Sequence, residues 1–296
     1  MMVKYLIPAT FLIFALLTPD LLAQKRSQSE QASFLFSKPN LAAWCIVPFD
    51  AAKRSPEERA EMLHQLGFTR LAYDYRAEHI PTFEREILAL RKHKIELFAW
   101  WFPTSLNDEA KLILEVLRKN NEKPQLWVTG GGDLNMNPEQ AEAFCVAEVE
   151  RIRTIAIAAN EQGCQVGLYN HGGWFGEPKN QVELIRRLKM PNVGIVYNLH
   201  HAHDQLGELA SNLSLMRPYL IAVNLNGTET DGDKIGKKIL PIGQGNLDRS
   251  VLKTIIESGY VGPIGILNHT DEDAKLRLEA NLNGLQDLVG KLDLPK

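Results

Sequence analysis

The chain has 296 residues and a nearly balanced charge, with 33 Lys and Arg residues against 36 Asp and Glu residues. This length suits one (β/α)8 barrel, and the lack of a basic excess argues against a nucleic-acid-binding surface. The cysteines, Cys45, Cys145 and Cys164, have no close spacing. They fit small buried side chains, and one disulfide in an oxidising compartment stays open as the alternative.

The chain begins with a segment that is typical of a secretory signal. A charged start precedes an apolar run over residues 5–17, and Ala23 offers a small residue for cleavage. The run is too short for a comfortable membrane span. We therefore expect a signal peptide over 1–23, a flexible leader over 24–39 and one folded domain over 40–296. The mature protein is expected in the periplasm, without a membrane span.

Eight short apolar runs alternate with amphipathic stretches along the rest of the chain. Ser55 and Asn137 each precede a proline and, three residues on, a Glu or Gln, which is a pattern that starts helices. Strands joined by helices imply parallel pairing. Eight such units in one uninterrupted domain predict a closed (β/α)8 TIM barrel. The runs of strand length lie at 42–48, 70–75, 95–102, 125–129, 165–169, 193–197, 220–225 and 263–267.

Polar side chains collect where two neighbouring strands end. Tyr169 and His171 follow the fifth run, and Asn198, His200 and His201 follow the sixth. The carboxyl ends of barrel strands form one face, so we expect these groups to meet there. Polar groups at strand ends are costly unless they face a water-filled site. We expect one of the two adjacent histidines to pack outward against a helix.

The other strand ends add candidates for binding a sugar. Amides supply both donors and acceptors to hydroxyl groups, and aromatic rings stack on the C–H faces of sugars. Two interpretations of Asp74 and Arg76 stay open, because the two side chains either face the site together or only pair with each other. The predicted substrate-binding residues are Arg76, Trp100, Asn198, Asn226, Gln244 and His269.

The order and spacing of these motifs resemble the xylose-isomerase-like barrel superfamily of sugar phosphate isomerases and epimerases, which is related to the family-2 apurinic endonucleases. The resemblance covers roughly residues 40–290. It implies a TIM barrel and a small carbohydrate substrate. The strings that carry it are Leu168-Tyr169-Asn170-His171-Gly172-Gly173, Asn198-Leu199-His200-His201, Asn224-Leu225-Asn226, Leu240-Pro241-Ile242-Gly243-Gln244-Gly245 and Gly259-Tyr260-Val261-Gly262-Pro263-Ile264.

Members of this superfamily typically hold a divalent metal with Glu, Asp, His and Glu on strands five to eight. The aligned positions here hold Tyr169, Asn198, Asn224 and Leu267. Neutral phenols and amides are poor ligands for Mn²⁺ or Mg²⁺, so we expect the usual metal site to be lost. A shifted site on His171 and His201, joined by His79 or His203, stays open, and it would favour Zn²⁺, Co²⁺ or Ni²⁺.

The chain also resembles an exported subgroup of this superfamily, through the strings Trp44-Cys45-Ile46-Val47-Pro48-Phe49-Asp50 and Tyr73-Asp74-Tyr75-Arg76-Ala77-Glu78-His79. Related exported proteins include lyases that act on 3-keto-glycosides. In such substrates the C3 ketone acidifies the proton on C2. A base removes that proton, and the aglycone at C1 then leaves by β-elimination, which yields a 2-hydroxy-3-keto-glucal.

This chemistry requires a base, an acid and a donor to the enolate oxygen. His171 or His201 would serve as the base, and the acid would be His201, Glu78 or Tyr169. A histidine-bound metal would stabilise the enolate oxygen, or side-chain donors would. The candidate donors are Tyr169, Asn226 and Gln244.

Two other functions stay open. The same enolate chemistry without a leaving group would make an isomerase or epimerase of unphosphorylated sugars, and loss of catalysis would leave a sugar-binding protein. A nucleotide cofactor is not expected, because the Gly-x-Gly-x-x-Gly pattern is absent. The sequence also lacks a Gly-x-Ser-x-Gly motif and a convincing pair of strand-end carboxylates.

Overall fold

The computed structural model describes residues 27–295 and shows a closed barrel of eight parallel strands in chain order. The strands β1 to β8 are Leu41–Trp44, Arg70–Tyr73, Glu96–Phe102, Gln125–Val128, Gln165–Tyr169, Val193–Asn198, Leu220–Leu225 and Ile264–Leu267. Because β1 pairs with β8, the sheet has no free edge. The predicted (β/α)8 barrel is confirmed. The signal peptide predicted over 1–23 lies outside the described residues.

Helices cover the outside of the barrel. After β6, the 3₁₀ segment His203–Glu208 precedes α8. Ser55 and Asn137 cap α2 and α5 through their side chains, as their sequence pattern predicts. No helix in the described part of the chain is long and apolar enough to cross a bilayer. Helices α1 to α10 are Gln28–Leu35, Pro56–Leu66, Phe83–Lys92, Asp108–Asn120, Pro138–Glu161, Gly173–Gly176, Pro178–Leu188, Leu209–Met216, Asp248–Glu257 and Ala274–Gly290.

Helix α1 corrects the flexible leader expected over 24–39. Ser27 caps this helix, and Leu35 is fully buried in the outer core. Gln31 donates a hydrogen bond from Nε2 to the carbonyl oxygen of Ile256 at 3.0 Å, which fastens α1 to α9. A polar composition favours flexibility only where a segment has nothing to pack against. Here the barrel supplies a surface that the local sequence does not reveal.

Apolar side chains form two cores, one on each face of the sheet. The outer core lies between strands and helices, and the inner core fills the barrel with side chains such as Trp44, Trp127 and Tyr169. Alternation along a strand sends neighbouring side chains to opposite cores. Since the inner core fills the barrel, the face at the carboxyl ends of the strands is where a site can form.

Candidate active site

The mouth of the barrel holds a small pocket, which we call the inner pocket. Its cavity volume is about 50 Å³, well below the roughly 300–1,000 Å³ of typical ligand sites. The lining residues are Trp44, Cys45, Phe49, Asp74, Arg76, Trp101, Tyr169, His171, His201 and His269. The structure therefore brings together the predicted site residues Arg76, Tyr169, His171, His201 and His269.

Asp74 is a buried carboxylic acid in the wall of the inner pocket. The residue is 2% exposed. Its Oδ1 accepts a hydrogen bond from the backbone N–H of Val47 at 3.2 Å, while Oδ2 has no partner among residues 27–295. Burial raises the pKa of the Asp74 carboxyl to about 7. A carboxyl that titrates near neutral pH inside a pocket is suited to proton transfer.

The interpretation of Asp74 and Arg76 as an ion pair with each other is not supported. The guanidinium of Arg76 donates from Nη1 to the carbonyl oxygens of Asp74 and Tyr75, at 2.9 and 2.8 Å, instead of to the carboxylate. The positive charge of Arg76 still lowers the pKa of Asp74, although less than burial raises it. The Asp74 carboxyl therefore forms no ion pair with Arg76.

Cys45 lies beside Asp74 and follows directly after β1. Its backbone has φ 56°, in the left-handed region that residues with a side chain seldom adopt. Burial and the neighbouring carboxylate raise the pKa of the Cys45 thiol well above its usual value. The thiol therefore stays protonated and can act as a weak donor in the wall of the pocket.

Tyr169 forms the floor of the pocket at the end of β5. Its hydroxyl accepts hydrogen bonds from the indole N–H of Trp44 at 3.2 Å and from the side-chain amide of Asn198. Burial raises the pKa of the Tyr169 phenol, so the hydroxyl proton is retained and remains available for donation. Asn198, predicted to bind substrate, instead lies inside the barrel and positions Tyr169, because it is fully buried.

Four imidazoles form a row at the mouth of the barrel, and those of His171, His201 and His269 are part of the pocket wall. The ring centroids of His171 and His201 are 4.4 Å apart, and His200 lies 4.3 Å from His201 and 5.1 Å from His269. In a closed barrel of eight strands, β6, which His200 and His201 follow, lies across from β2, which Asp74 follows. Of the two adjacent histidines, only His201 lines the inner pocket, while the buried ring of His200 packs beside those of His201 and His269.

The imidazoles are predominantly neutral at neutral pH. Burial lowers the pKa of His171, and burial together with the charge of His171 lowers the pKa of His201 to about 3. Burial likewise lowers the pKa of His269, with a smaller effect from Arg76. Neutral imidazoles offer one donor and one acceptor nitrogen each, so this wall can accept a proton as well as bind hydroxyl groups.

Trp101 lines the pocket, whereas the predicted Trp100 does not. Strand β3 carries a bulge, since Leu71 pairs with Leu97 but the next residue pairs with Ala99. The bulge places one extra residue on the inner face and shifts the alternation after it. Trp100 therefore packs in the outer core, with its ring 4.8 Å from that of Phe83.

Glu78, Gln244 and Asn226 also lie outside the inner pocket. Glu78 follows Arg76 into an exposed 3₁₀ segment, and Gln244 is exposed in the loop after β7. Asn226 is buried and donates hydrogen bonds to the backbone carbonyls of Gly227 and Lys238, at 2.8 and 3.2 Å. The Asn226 side chain holds a loop in place. Glu78 and Gln244 lie past the strand ends, where the alternation of side chains along a strand no longer predicts which way they point.

The structure identifies further pocket residues that the sequence did not single out. Phe49 lies under the guanidinium of Arg76 at 5.2 Å and beside His269, with ring centroids 4.0 Å apart. Trp44 and Cys45 come from the end of β1. The sequence string that contains all three residues carries the resemblance to the exported subgroup. That resemblance was the signal that could have identified them as site residues.

A second, larger cavity lies at the opposite end of the barrel. It has a volume of about 430 Å³ and lies between α1, α2 and α10, with Phe36, Leu41 and Leu66 in its lining. In TIM barrels this end serves stability, while chemistry lies at the carboxyl ends of the strands. The small pocket with its convergent acid, imidazoles and phenol is therefore the candidate active site.

The fold and site define a single (β/α)8 barrel with an acid and imidazoles at its mouth. The sequence matches the family of xylose isomerase-like TIM barrels over residues 103–288. The chain belongs to that family. A search of curated proteins found no match.

Solved structures share the fold at low identity. The apo 3-keto-D-glucoside 4-epimerase YcjR from E. coli is 15% identical, with a TM-score of 0.65, covering 85% of this chain and 99% of that one. The probable 3-DHS dehydratase AsbF from Bacillus anthracis is 16% identical, with a TM-score of 0.64 and coverages of 83% and 98%. D-psicose 3-epimerase from Clostridium cellulolyticum H10 is 13% identical, with a TM-score of 0.59 and coverages of 84% and 98%.

The residues at the family's metal positions do not fit a divalent cation. The phenol of Tyr169 is hydrogen-bonded and stays protonated, and Leu267 packs in the inner core. The remaining two positions hold the buried amides of Asn198 and Asn224. A neutral set of one phenol, two amides and one hydrocarbon lacks the anionic and imidazole ligands that such a cation requires.

The shifted metal site predicted on His171 and His201 lacks further ligands. The two rings lie close together, but residues 27–295 contain no group of three His, Cys, Asp or Glu side chains that could hold a metal ion. His79 accepts a hydrogen bond from the backbone N–H of Arg76 through Nδ1, and His203 is bonded through Nε2 to the carbonyl of Lys238. Neither completes the site.

Proposed function

We propose that this protein is a carbon–oxygen lyase that acts on 3-keto-glycosides. One observation carries the proposal, namely the buried Asp74 carboxyl, which lines the same pocket as the neutral imidazoles of His171 and His201. Proton removal from carbon followed by protonation of a leaving oxygen requires an acceptor and a donor on two sides of the substrate. The cavity volume is about 50 Å³, smaller than typical ligand sites, so in this proposal the side chains around the pocket move apart to admit one sugar ring.

The reaction begins with His171, which accepts the C2 proton that the C3 ketone acidifies. The electron pair of the C2–H bond forms the enolate. The C1–O bond then breaks with its electrons on the leaving oxygen, while a C1=C2 double bond forms and the ketone is restored. Asp74 protonates the leaving oxygen. Each substrate molecule yields one alcohol and one 2-hydroxy-3-keto-glucal. Proton exchange with water then returns His171 and Asp74 to their initial protonation states.

The protonation states of the free site match these roles. The lowered pKa of His171 keeps its imidazole able to accept a proton, and the raised pKa of Asp74, about 7, keeps much of that carboxyl protonated near neutral pH. Tyr169 retains its hydroxyl proton and can donate to the enolate oxygen. In this scheme Asp74 takes the role of acid, for which the sequence suggested His201, Glu78 or Tyr169.

Two similar structures lend support to this substrate and reaction class. One is named a 3-keto-D-glucoside epimerase, and the other a probable dehydratase, a name that denotes cleavage of a carbon–oxygen bond. Both share the barrel with this chain. The acid–imidazole pair in the inner pocket supports the same type of chemistry on residues of this chain.

The test is incubation of the purified protein with methyl 3-keto-glucosides of both anomers in D₂O. The lyase releases methanol and leaves the glucal. An epimerase or isomerase, the second candidate function, incorporates deuterium but retains the methyl group, and the epimerase name of the E. coli structure is what favours it. Binding without either change would leave a sugar-binding protein.

We also propose that the enzyme acts after export. The charged start and apolar run of residues 5–17 support a signal peptide, and a 3-keto-glycoside needs neither a phosphate group nor a nucleotide cofactor. Fractionation of expressing cells, with sequencing of the mature amino terminus, tests this proposal. Cleavage near Ala23 and recovery in the periplasm are expected, and an intact cytoplasmic chain would contradict it.

A further inference from the structure

A second space adjoins the inner pocket, and we call it the outer groove. It has a volume of about 380 Å³ and lies at the ends of β2, β3 and β4. The groove and the pocket share two lining residues, Arg76 and Trp101. A ligand seated in the pocket can therefore extend into the groove past the indole of Trp101 and the guanidinium of Arg76.

The outer groove offers unpaired polar groups at fixed positions. The carbonyl oxygens of Thr104 and Thr129 both accept hydrogen bonds from Arg151, at 2.6 and 3.1 Å, which fixes the two loop segments. Neither threonine hydroxyl has a hydrogen-bond partner among residues 27–295. Glu109 accepts a hydrogen bond from the hydroxyl of Tyr75 through Oε1, which leaves its second oxygen available.

Flat surfaces accompany these polar groups. Trp101 is partly exposed, and Pro103 follows it on the same loop into the groove. Alternating hydroxyl, carboxylate and guanidinium groups around an aromatic face match a ring that carries many hydroxyls and presents C–H faces. A purely aromatic ligand would leave these polar groups without partners, which costs affinity.

We propose that the outer groove binds the leaving group of the substrate and that this leaving group is a second sugar. The inference rests on the proposed lyase function and specifies its substrate as a 3-keto-disaccharide. The keto-sugar ring lies in the inner pocket, the scissile oxygen lies near Trp101, and the second ring lies against Thr104, Thr129 and Glu109. An isomerase of single sugars would have no use for such a groove.

Binding of unreactive sugars tests the groove separately from catalysis. Calorimetry would compare cellobiose, maltose and trehalose with the methyl glucoside of the same anomer. At least one disaccharide is expected to bind about tenfold more tightly, which corresponds to about 1.4 kcal/mol. The variant Thr104→Phe fills the groove and should remove this advantage. Ser105→Phe is the matched control, because Ser105 is exposed on the same loop but does not line the groove.

The turnover experiment uses the 3-keto derivatives of the same disaccharides and methyl glucosides. Thr104→Phe should lower kcat/KM for the disaccharide about tenfold more than for the methyl glycoside. Equal affinity for both sugar classes, an advantage that survives Thr104→Phe, or preference for p-nitrophenyl glucosides would overturn the inference. If disaccharides bind more tightly but no aglycone is released, the groove is confirmed as a sugar-binding site and the proposed lyase function is refuted.

Discussion

At the scale of single residues, the account depends on the acid in the wall of the pocket. Asp74→Asn removes the proton donor while keeping the hydrogen bond from Val47. We expect kcat/KM to fall about 10²- to 10⁴-fold, with the melting temperature unchanged or raised because a buried ionisable group is lost. Asp271→Asn, an exposed change outside the pocket lining, is the control. Near-normal turnover by Asp74→Asn would remove Asp74 from the mechanism.

The imidazole wall gives a second prediction. His171→Ala and His201→Ala should each lower turnover by orders of magnitude and leave the melting temperature nearly unchanged, because both side chains are at least partly exposed at the mouth. His93→Ala is the control, since His93 lies against Glu61 at 3.6 Å, away from the site. Steady-state assays and thermal unfolding check the pair. Full activity in both variants would refute their assignment.

The pH dependence follows from the two shifted groups. Below the pKa of His171, which burial lowers from 6.5, the imidazole is protonated and cannot accept the C2 proton. Above about pH 7 the carboxyl of Asp74 ionises and cannot protonate the leaving oxygen. A plot of kcat/KM against pH should therefore be bell-shaped, with its maximum slightly below neutral. Activity that still rises above pH 8 would contradict the assignment of roles.

Which residues form the site could be predicted only in part. His171 and Tyr169 follow a buried strand, so alternation and strand order place them at the mouth. The role of Asp74 depends on its burial and its missing hydrogen-bond partner, and both arise from packing against the loop after β1. Charge pairing is not visible in sequence, and Arg76 binds backbone carbonyls rather than Asp74.

At the scale of elements, the strands were predictable and their irregularities were not. Apolar runs and helix caps gave eight strands in the correct order. The bulge in β3 has no sequence signal, yet it exchanges the orientations of Trp100 and Trp101. Past the strand ends, the directions of Glu78 and Gln244 depend on loop conformations that period-two alternation does not describe.

Helix α1 provides the stability prediction at this scale. Leu35→Ala should lower the free energy of unfolding by about 2–5 kcal/mol, because the side chain is fully buried in the outer core. Ser33→Ala, an exposed change in the same helix, is the control and should have little effect. Chemical denaturation measures both variants. Equal stability of Leu35→Ala and wild type would support the flexible leader instead.

At the scale of the whole molecule, the barrel supplies the framework, and changed residues at its mouth supply the chemistry. The family's metal positions hold a phenol, amides and a leucine, while an acid just after β2 shares a pocket with imidazoles after β5 and β6. In the proposed mechanism, the closed barrel thus brings the proton acceptor and the proton donor to one pocket. The proposed second sugar ring lies in the adjoining groove.

The most direct measurement is the product balance for a methyl 3-keto-glucoside treated with enzyme that has been freed of metals by chelation. The account predicts equal amounts of methanol and 2-hydroxy-3-keto-glucal, formed at the rate of untreated enzyme. Retention of the methyl group, or activity that disappears on chelation and returns with Zn²⁺, would contradict β-elimination by Asp74 and His171.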